Sequence, residues 1–311
     1  MSEARHVRAI TAAICTYGEA PQLLRALASL AEQEPPDGLA LEILCVDNNP
    51  APRAVLPESL VSRVRVIREP VAGLSRARNA AVAHAQSDAI AFLDDDAVAQ
   101  PGWAAALAQA FESTGAWCVG GRVLPEWPGE EPLWLDVRLR YLLGLFDLGG
   151  DARFLRGPVF PCGANMAVRR FAFDRVGLFR ESLGRKPGSL LSGEEIDLLR
   201  RAIQAGGTVV YAPDAVAHHI VPPSRLSPEF LRRRAWWEGN TLARLDRLSE
   251  GWPFAAGSAL ARTALAFVRE PTARLAALAT RRSPELAVCR ARKVVGYWAG
   301  LFAPIDRGGV P

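Results

Sequence analysis

The sequence predicts an α/β fold, with a mostly parallel central sheet covered by helices and a helical extension at the C-terminal end. Three observations carry this. Short, mostly apolar runs alternate with helical patterns through the first half of the chain, as strands of a largely parallel sheet covered on both sides do. Three of those runs end in polar or acidic residues, and in such sheets ligands bind beyond the carboxyl ends of the strands. From about residue 226 the pattern turns helical and the charge balance changes sign.

Taken in order, Ala9 to Ile14 reads as a strand, and Pro21 to Ala31 as a helix with Leu23, Leu24, Leu27 and Leu30 on one face. Leu41 to Val46 and Val64 to Ile67 are the next strands, Leu74 to Ala85 an Ala-rich helix, and Ala89 to Leu93 a fourth strand ahead of a helix starting near Pro101. Trp117 to Leu124 and Ala164 to Val168 are strand-like, and Pro125 to Pro161, rich in Gly, Pro and aromatics, predicts loops and a short helix. Glu194 to Ala205 is a helix stopped by Gly206-Gly207, followed by two strands, Thr208 to Tyr211 and Ala215 to His219. Phe230 onward reads as helices broken at Pro253, Pro271 and Pro284. This divides the chain into one domain over 1–225, with halves of about 1–100 and 101–225, and an extension over 226–311.

Half of the 311 residues are hydrophobic, enough for a sizeable core. The net charge of +4 is unevenly spread: from Leu226 to the end, 14 basic and 7 acidic residues give +7, leaving −3 for the rest. A basic tail on a near-neutral body suits an anionic partner, whether a membrane surface, a nucleic acid or an acidic protein. Five widely spaced cysteines without a CxxC pair argue against structural zinc and a disulfide framework. Met1 to His6 lacks the apolar region of a signal peptide, and no stretch of 18 charge-free apolar residues occurs, so the cytosol is the expected location.

Asp94-Asp95-Asp96 stands where the fourth strand emerges. Adjacent carboxylates repel unless something cationic neutralises them, and hard divalent cations do so with oxygen ligands. An acidic turn before the next helix is the alternative. Arg76 and Arg78 lie where Gly73-Leu74-Ser75 enters a helix, suiting phosphate or simply solvent. Asp47, at a strand end, can accept from a base or ribose, or close an Asx turn with Asn49. Glu194, Glu195 and Asp197 open a helix after Gly193, and either complement its dipole or supply a general base beside a ligand. His218 and His219 end a strand, either as structural residues or with one of them a metal ligand. Cys162-Gly163-Ala164-Asn165-Met166 brings small residues into a strand, for close approach to a ligand or for tight packing.

In order, these segments resemble the family 2 glycosyltransferases of the GT-A fold. The resemblance rests on Ile14-Cys15-Thr16-Tyr17 with Glu19, Val46-Asp47-Asn48, Gly73 through Asn79, Phe92-Leu93-Asp94-Asp95-Asp96 with Pro101 and Trp103, Gly163-Ala164-Asn165-Met166, Gly193 through Leu198, and His219 ahead of Pro222. It covers about residues 7–225. It implies an enzyme using a nucleotide-diphosphate sugar, a UDP-sugar first, and Mn2+ or Mg2+. By position, Thr16, Glu19 and Asp47 would contact the nucleoside and Arg76 the base or diphosphate. Asp94 and Asp96 match the outer carboxylates of a DxD-type motif, with Asp96 as metal ligand and Asp95 toward the ribose. Glu195 matches the catalytic base of inverting members, and His219 a histidine approaching the metal or diphosphate.

The implied acceptor is a hydroxyl on a saccharide, a lipid-linked glycan or a small molecule. The tail, with Arg232-Arg233-Arg234-Ala235-Trp236-Trp237 and with Arg290, Arg292 and Lys293 ahead of Tyr297, Trp298, Leu301 and Phe302, fits either peripheral contact with a membrane or an ordinary helical subdomain. Nucleic acid is not the expected partner. Two alternatives from other classes are a nucleotidyltransferase and a catalytically silent sugar-nucleotide binding module. The first would carry a Gly-rich basic loop after Thr16, which this chain lacks, and intact Asp96 and Glu195 weigh against the second.

Overall fold

The computed structural model describes residues 6–18, 21–279 and 284–305, and the side chains of 267–279 are outside that description. The chain divides into two compact units: Met1–Glu126 with Leu145–Glu181 and Glu194–Ile220, and Trp127–Gly144 with Ser182–Gly193 and Val221–Pro311. The second unit thus includes 127–144 and 182–193, which the reading of the sequence gave to the 1–225 domain.

The first unit is built on one nine-stranded sheet. Strands β1 (Ala9–Thr16), β2 (Ala40–Asp47), β3 (Val64–Arg68) and β4 (Ala89–Asp94) form its parallel part, in the order β3-β2-β1-β4. Beyond β4 come β8 (Asn165–Arg169), β6 (Cys118–Glu126), β9 (Val209–Ile220) and β5 (Ala97–Ala99), while β7 (Arg153–Leu155) also pairs with β9. β8 runs antiparallel to both neighbours, so the sheet is mixed beyond β4.

Alternation along the strands makes two cores. Ile10, Ala12 and Ile14 join Ala89, Ala91 and Leu93 on one face, covered by α1 (Leu23–Ala31) and α4 (Trp103–Thr114). Ala13, Leu44, Ile90 and Phe92 line the other, under α3 (Leu74–His84), α5 (Arg170–Val176) and α6 (Glu194–Gln204). A strand buried on both faces has no polar side to show, which is why β4 reads as an unbroken apolar run. The short helix α2 (Glu58–Val61) precedes β3.

Three expectations need correction. Thr208–Tyr211 and Ala215–His219 are one strand, β9: its pairing with β6 shifts register between Gly121 and Arg122, and Pro213 falls in the resulting bulge, where no ladder donor is required. Pro125 to Pro161 holds a 3-10 turn, Val137–Leu143, but also the strand β7. Pro271 lies inside α8 (Trp252–Ala279) without ending it, since one missing backbone donor need not stop a long helix.

The second unit packs α7 (Pro228–Ser249), α8 and α9 (Glu285–Phe302). Glycines bring α7 and α9 into backbone contact. A Cβ on Gly239 would lie 1.9 Å from the Lys293 carbonyl, one on Gly296 1.8 Å from that of Trp236, and one on Gly300 2.4 Å from that of Asn240. Arg247 Nη1 donates to the carbonyls of Gly300 (3.2 Å) and Ala303 (2.6 Å), and Arg244 Nη1 to that of Pro304 (2.8 Å), satisfying orphan acceptors at the end of α9. Arg232 pairs with the buried Glu285 at 2.5 Å. These arginines of α7 are engaged within the unit.

Candidate active site

The site is assembled at the carboxyl end of β4. Asp94 closes that strand, and Asp95 and Asp96 form the turn into β5. β5 pairs antiparallel with β9, Ala97 opposite His219, and this register sets His219 beside the turn. His219 Nε2 lies 3.1 Å from Asp96 Oδ1. One ligand atom each from Asp94, Asp96 and His219 fall within 4.8 Å of one another. His218 points to the other face of β9, its Nε2 3.4 Å from Gln100 Nε2, so the histidine that approaches the carboxylates is His219.

Arg78 in α3 holds the next layer. Its Nη1 donates to Glu194 Oε1 at 2.6 Å, and its Nη2 to the Gly163 carbonyl at 2.9 Å and to Asp94 Oδ1 at 3.4 Å. The guanidinium also lies over the rings of Phe92 and Phe179. Burial alone would favour loss of its proton, but Glu194, Asp94 and Glu195 reverse this and raise its pKa, so it is cationic at any working pH. A Cβ on Gly163 would stand 2.8 Å from both Arg78 Nη atoms. The small residue there makes room for arginine. Asn165 is fully buried; its Nδ2 donates to the carbonyls of Arg122 and Ala215, and its Oδ1 accepts from Trp103 Nε1 at 2.8 Å.

Glu194, Glu195 and Asp197 open α6. Only part of this cluster serves the helix dipole. Glu194 is taken by Arg78, and Asp197 pairs with Arg180 (3.2 Å) and Arg201 (2.8 Å). Glu195, between them, is half-buried, and its field reaches both Arg78 and Cys162. The Cys162 thiol is pushed up to about 12, by burial first and then by Asp94 and Glu195, so it is no nucleophile. Gly193, φ +96°, would place a Cβ 2.6 Å from Thr241 Cγ2; backbone conformation and packing demand this glycine, not room for a ligand.

Asp47 ends β2 in an Asx turn: Oδ1 accepts from the Asn49 amide (3.2 Å) and Nδ2 (2.8 Å), and Oδ2 from the amides of Arg53 (2.6 Å) and Ala54 (3.0 Å). Burial would raise its pKa, but these hydrogen bonds outweigh it and hold the carboxyl below its ordinary value. Thr16 ends the neighbouring β1, and its Oγ1 is buried with no hydrogen-bond partner. Asn48 ties the same loop to α3, donating to the carbonyls of Glu69 and Val71 and accepting from the Gly73 amide. Arg76 is half-exposed and pairs with Glu181 at 2.6 Å. Glu19 lies outside the described residues.

The sequence offers Arg78 to phosphate or solvent and Glu194 to the helix dipole or a general base; their pairing with each other was not foreseen. The available signal was Gly163, in the turn that leads into β8, where a side chain would meet Arg78.

The fold and the acidic cluster at its strand ends define a glycosyltransferase of the GT-A fold. The model of glycosyl transferase family 2 matches residues 11–177, and the chain belongs to that family. It is 30% identical over 238 residues, 75% of this chain and 73% of the other, to the succinoglycan biosynthesis protein ExoM of Rhizobium meliloti. It is 28% identical over 178 residues, 57% of this chain and 56% of the other, to the glucosyl-dolichyl phosphate glucuronosyltransferase of Haloferax volcanii. Among solved structures, the mannosyltransferase PcManGT of Pyrobaculum calidifontis, in complex with GDP-Man and Mn2+, aligns with a TM-score of 0.57 at 20% identity, over 96% of this chain and 88% of that one. GalNAc-T7 with UDP, GalNAc and Mn2+ aligns with a TM-score of 0.51 at 17% identity, over 76% of this chain and 51% of that one.

Proposed function

We propose that this glycosyltransferase moves a sugar from a nucleotide-diphosphate donor to an acceptor hydroxyl, with inversion, in the building of a polysaccharide or glycoconjugate. The convergence of Asp94, Asp96 and His219 within 4.8 Å carries the reading. Two carboxylates and an imidazole suit Mn2+ or Mg2+, and the buried His219 Nδ1, without a hydrogen-bond partner, marks a ring not fixed by the protein alone. Asp96 and His219 would hold the ion, in the manner of a DxD motif, with Asp94 beside them. When bound, the ion supplies positive charge to the departing diphosphate.

The chain's own residues do the rest. Asp95 would face the ribose. Thr16, whose buried hydroxyl lacks a partner, would bond the nucleoside with Glu19 and with Asp47, whose loop is held by its Asx turn. Arg76 would exchange its exposed partner Glu181 for the base or diphosphate. Glu195 would accept the acceptor's hydroxyl proton as that oxygen attacks the anomeric carbon. Arg78 keeps the neighbouring Glu194 from competing, because it is already bonded.

A UDP-sugar is the first donor to try, and relatives with GDP-Man and UDP among their ligands make both nucleotides reasonable. The acceptor would be a saccharide, lipid-linked glycan or small molecule, and residues 226–311 would make peripheral contact with the cytoplasmic face of a membrane. Screening UDP-, GDP- and dTDP-sugars for thermal stabilisation and hydrolysis with and without Mn2+ tests the reading. A metal-dependent response to one donor class is expected; no response to any of them, with a folded protein, would overturn it.

A further inference from the structure

Helix α8 is turned inside out. Between 252 and 266 its three polar side chains are Ser258, Arg262 and Thr263. All three reach partners inside the unit, Arg262 with 40% of its side chain still exposed. Ser258 bonds the Tyr297 hydroxyl, Arg262 lies 4.9 Å from the Tyr297 ring centroid and 3.9 Å from Asp246, and the Thr263 hydroxyl accepts from Trp298 Nε1 at 2.9 Å. Ala255 and Ala259 are buried beside them. The outward stripe is Pro253, Phe254, Gly257, Leu260, Ala261, Ala264 and Leu265, every residue apolar and every residue exposed. Phe254, Leu260 and Leu265 are 52%, 63% and 49% exposed. A helix against water carries the opposite pattern.

The stripe continues onto α9. Trp252 meets Phe302 with ring centroids 6.5 Å apart, and Phe302, Ala299, Val295 and Arg292 follow one exposed line of α9. Among the described side chains of α8 and α9, the exposed charges are Arg290 and Arg292, both basic. An apolar band of this extent on a soluble surface marks an interaction site. Apolar and aromatic side chains next to basic ones, with no exposed acid among the described residues of α8 and α9, match an anionic bilayer surface, where rings and leucines enter the acyl boundary and arginines meet phosphates. Among the described residues no helix is long and apolar enough to cross a membrane, which leaves a helix lying along it.

We propose that the outward face of α8, extended by the Arg292–Phe302 line of α9, is a docking surface for anionic phospholipid. The inference deepens the peripheral contact suggested above and names its residues: Phe254, Leu260 and Leu265 insert, and Arg292 selects negative headgroups.

The test is flotation of the full chain with phosphatidylcholine vesicles, with and without phosphatidylglycerol. The wild type floats with the anionic vesicles and weakly with the neutral ones. The double variant L260E/L265E replaces exposed side chains, so it retains the wild-type circular dichroism and Tm while its partition falls by about ten-fold or more. The variant R292E loses roughly ten-fold on anionic vesicles alone. Equal flotation of L260E/L265E and wild type, or no flotation of the wild type at low salt, would overturn the proposal. So would a wild-type dimer in light scattering that L260E/L265E converts to monomer without any vesicle binding, because a second copy would then be the occupant. Donor binding is read separately: a chain that floats but binds no nucleotide sugar removes the catalytic reading alone, and one that transfers sugar but never floats removes this surface alone.

Discussion

Arg78 Nη1 lies 2.6 Å from Glu194 Oε1, and both side chains are almost wholly buried. The pair joins α3 to the first residue of α6, while the same guanidinium reaches Asp94 at the end of β4. One cation therefore fixes a carboxylate of the Asp94–Asp96–His219 cluster and the turn of helix that carries Glu195. Arg78→Met would leave Glu194 and Asp94 facing each other without compensation, and removing one partner of a buried pair costs about 3–5 kcal/mol. Urea unfolding should show that loss, with partial recovery in Arg78→Lys. An unchanged midpoint would mean the bridge carries no stability.

Gly163→Ala tests the same contact from the other side. Its new Cβ would crowd the Arg78 nitrogens at 2.8 Å, and overpacking of this kind costs about 1–3 kcal/mol. The cost should shrink once Arg78 is Met, giving a coupling energy in a double-mutant cycle. Strict additivity would place the crowding elsewhere.

Glu195→Gln should lower turnover by about 10²–10⁴-fold while leaving donor affinity in place, because the amide keeps the shape and loses the base. Single-turnover rates with calorimetric donor binding check this. Near-normal turnover would assign proton acceptance to another group.

Asp96→Ala and His219→Ala should each abolish the strengthening of donor binding by Mn2+. Titration calorimetry with and without the ion is the measurement, and an identical Mn2+ response in both variants would move the metal away from β4 and β9.

Acid stability should depend on Asp47. Its folded pKa lies below the ordinary value, so its ionised form contributes stability that is complete above about pH 3.9 and is lost as pH falls through the folded value. Below about pH 4 the wild type should lose stability more steeply than Asp47→Asn. Parallel curves from chemical denaturation across that range would exclude a contribution from this carboxylate.

The parallel half of the sheet could be read directly from the chain because β1, β4 and the second half of β2 are buried and mostly apolar. The Asp run and the His pair were visible as chemistry, but only the β5–β9 register distinguishes His219 from His218. The Arg78–Glu194 bridge was not legible, because it spans 116 residues and each partner alone has a plausible local role, at a helix entrance or on a helix dipole. The continuity of β9 was hidden by Pro213, which reads as a break and is a bulge. The outward face of α8 escaped for a different reason: its composition is that of a core helix, and only the inward placement of Ser258, Arg262 and Thr263 reveals which side is exposed.

The glycine contacts between α7 and α9 bear on how the protein can be cut. Gly239, Gly296 and Gly300 let the two backbones touch, so α9 is as much a structural wall of its unit as α7 is. Deleting the chain from about residue 280 would strip a bonded surface from α7 and unseat the internal partners of Arg232, Arg244 and Arg247. A shortened chain would report first on folding, and any loss of lipid or acceptor binding in it would be uninterpretable. Functional dissection of this C-terminal region has to proceed by point substitution on exposed faces.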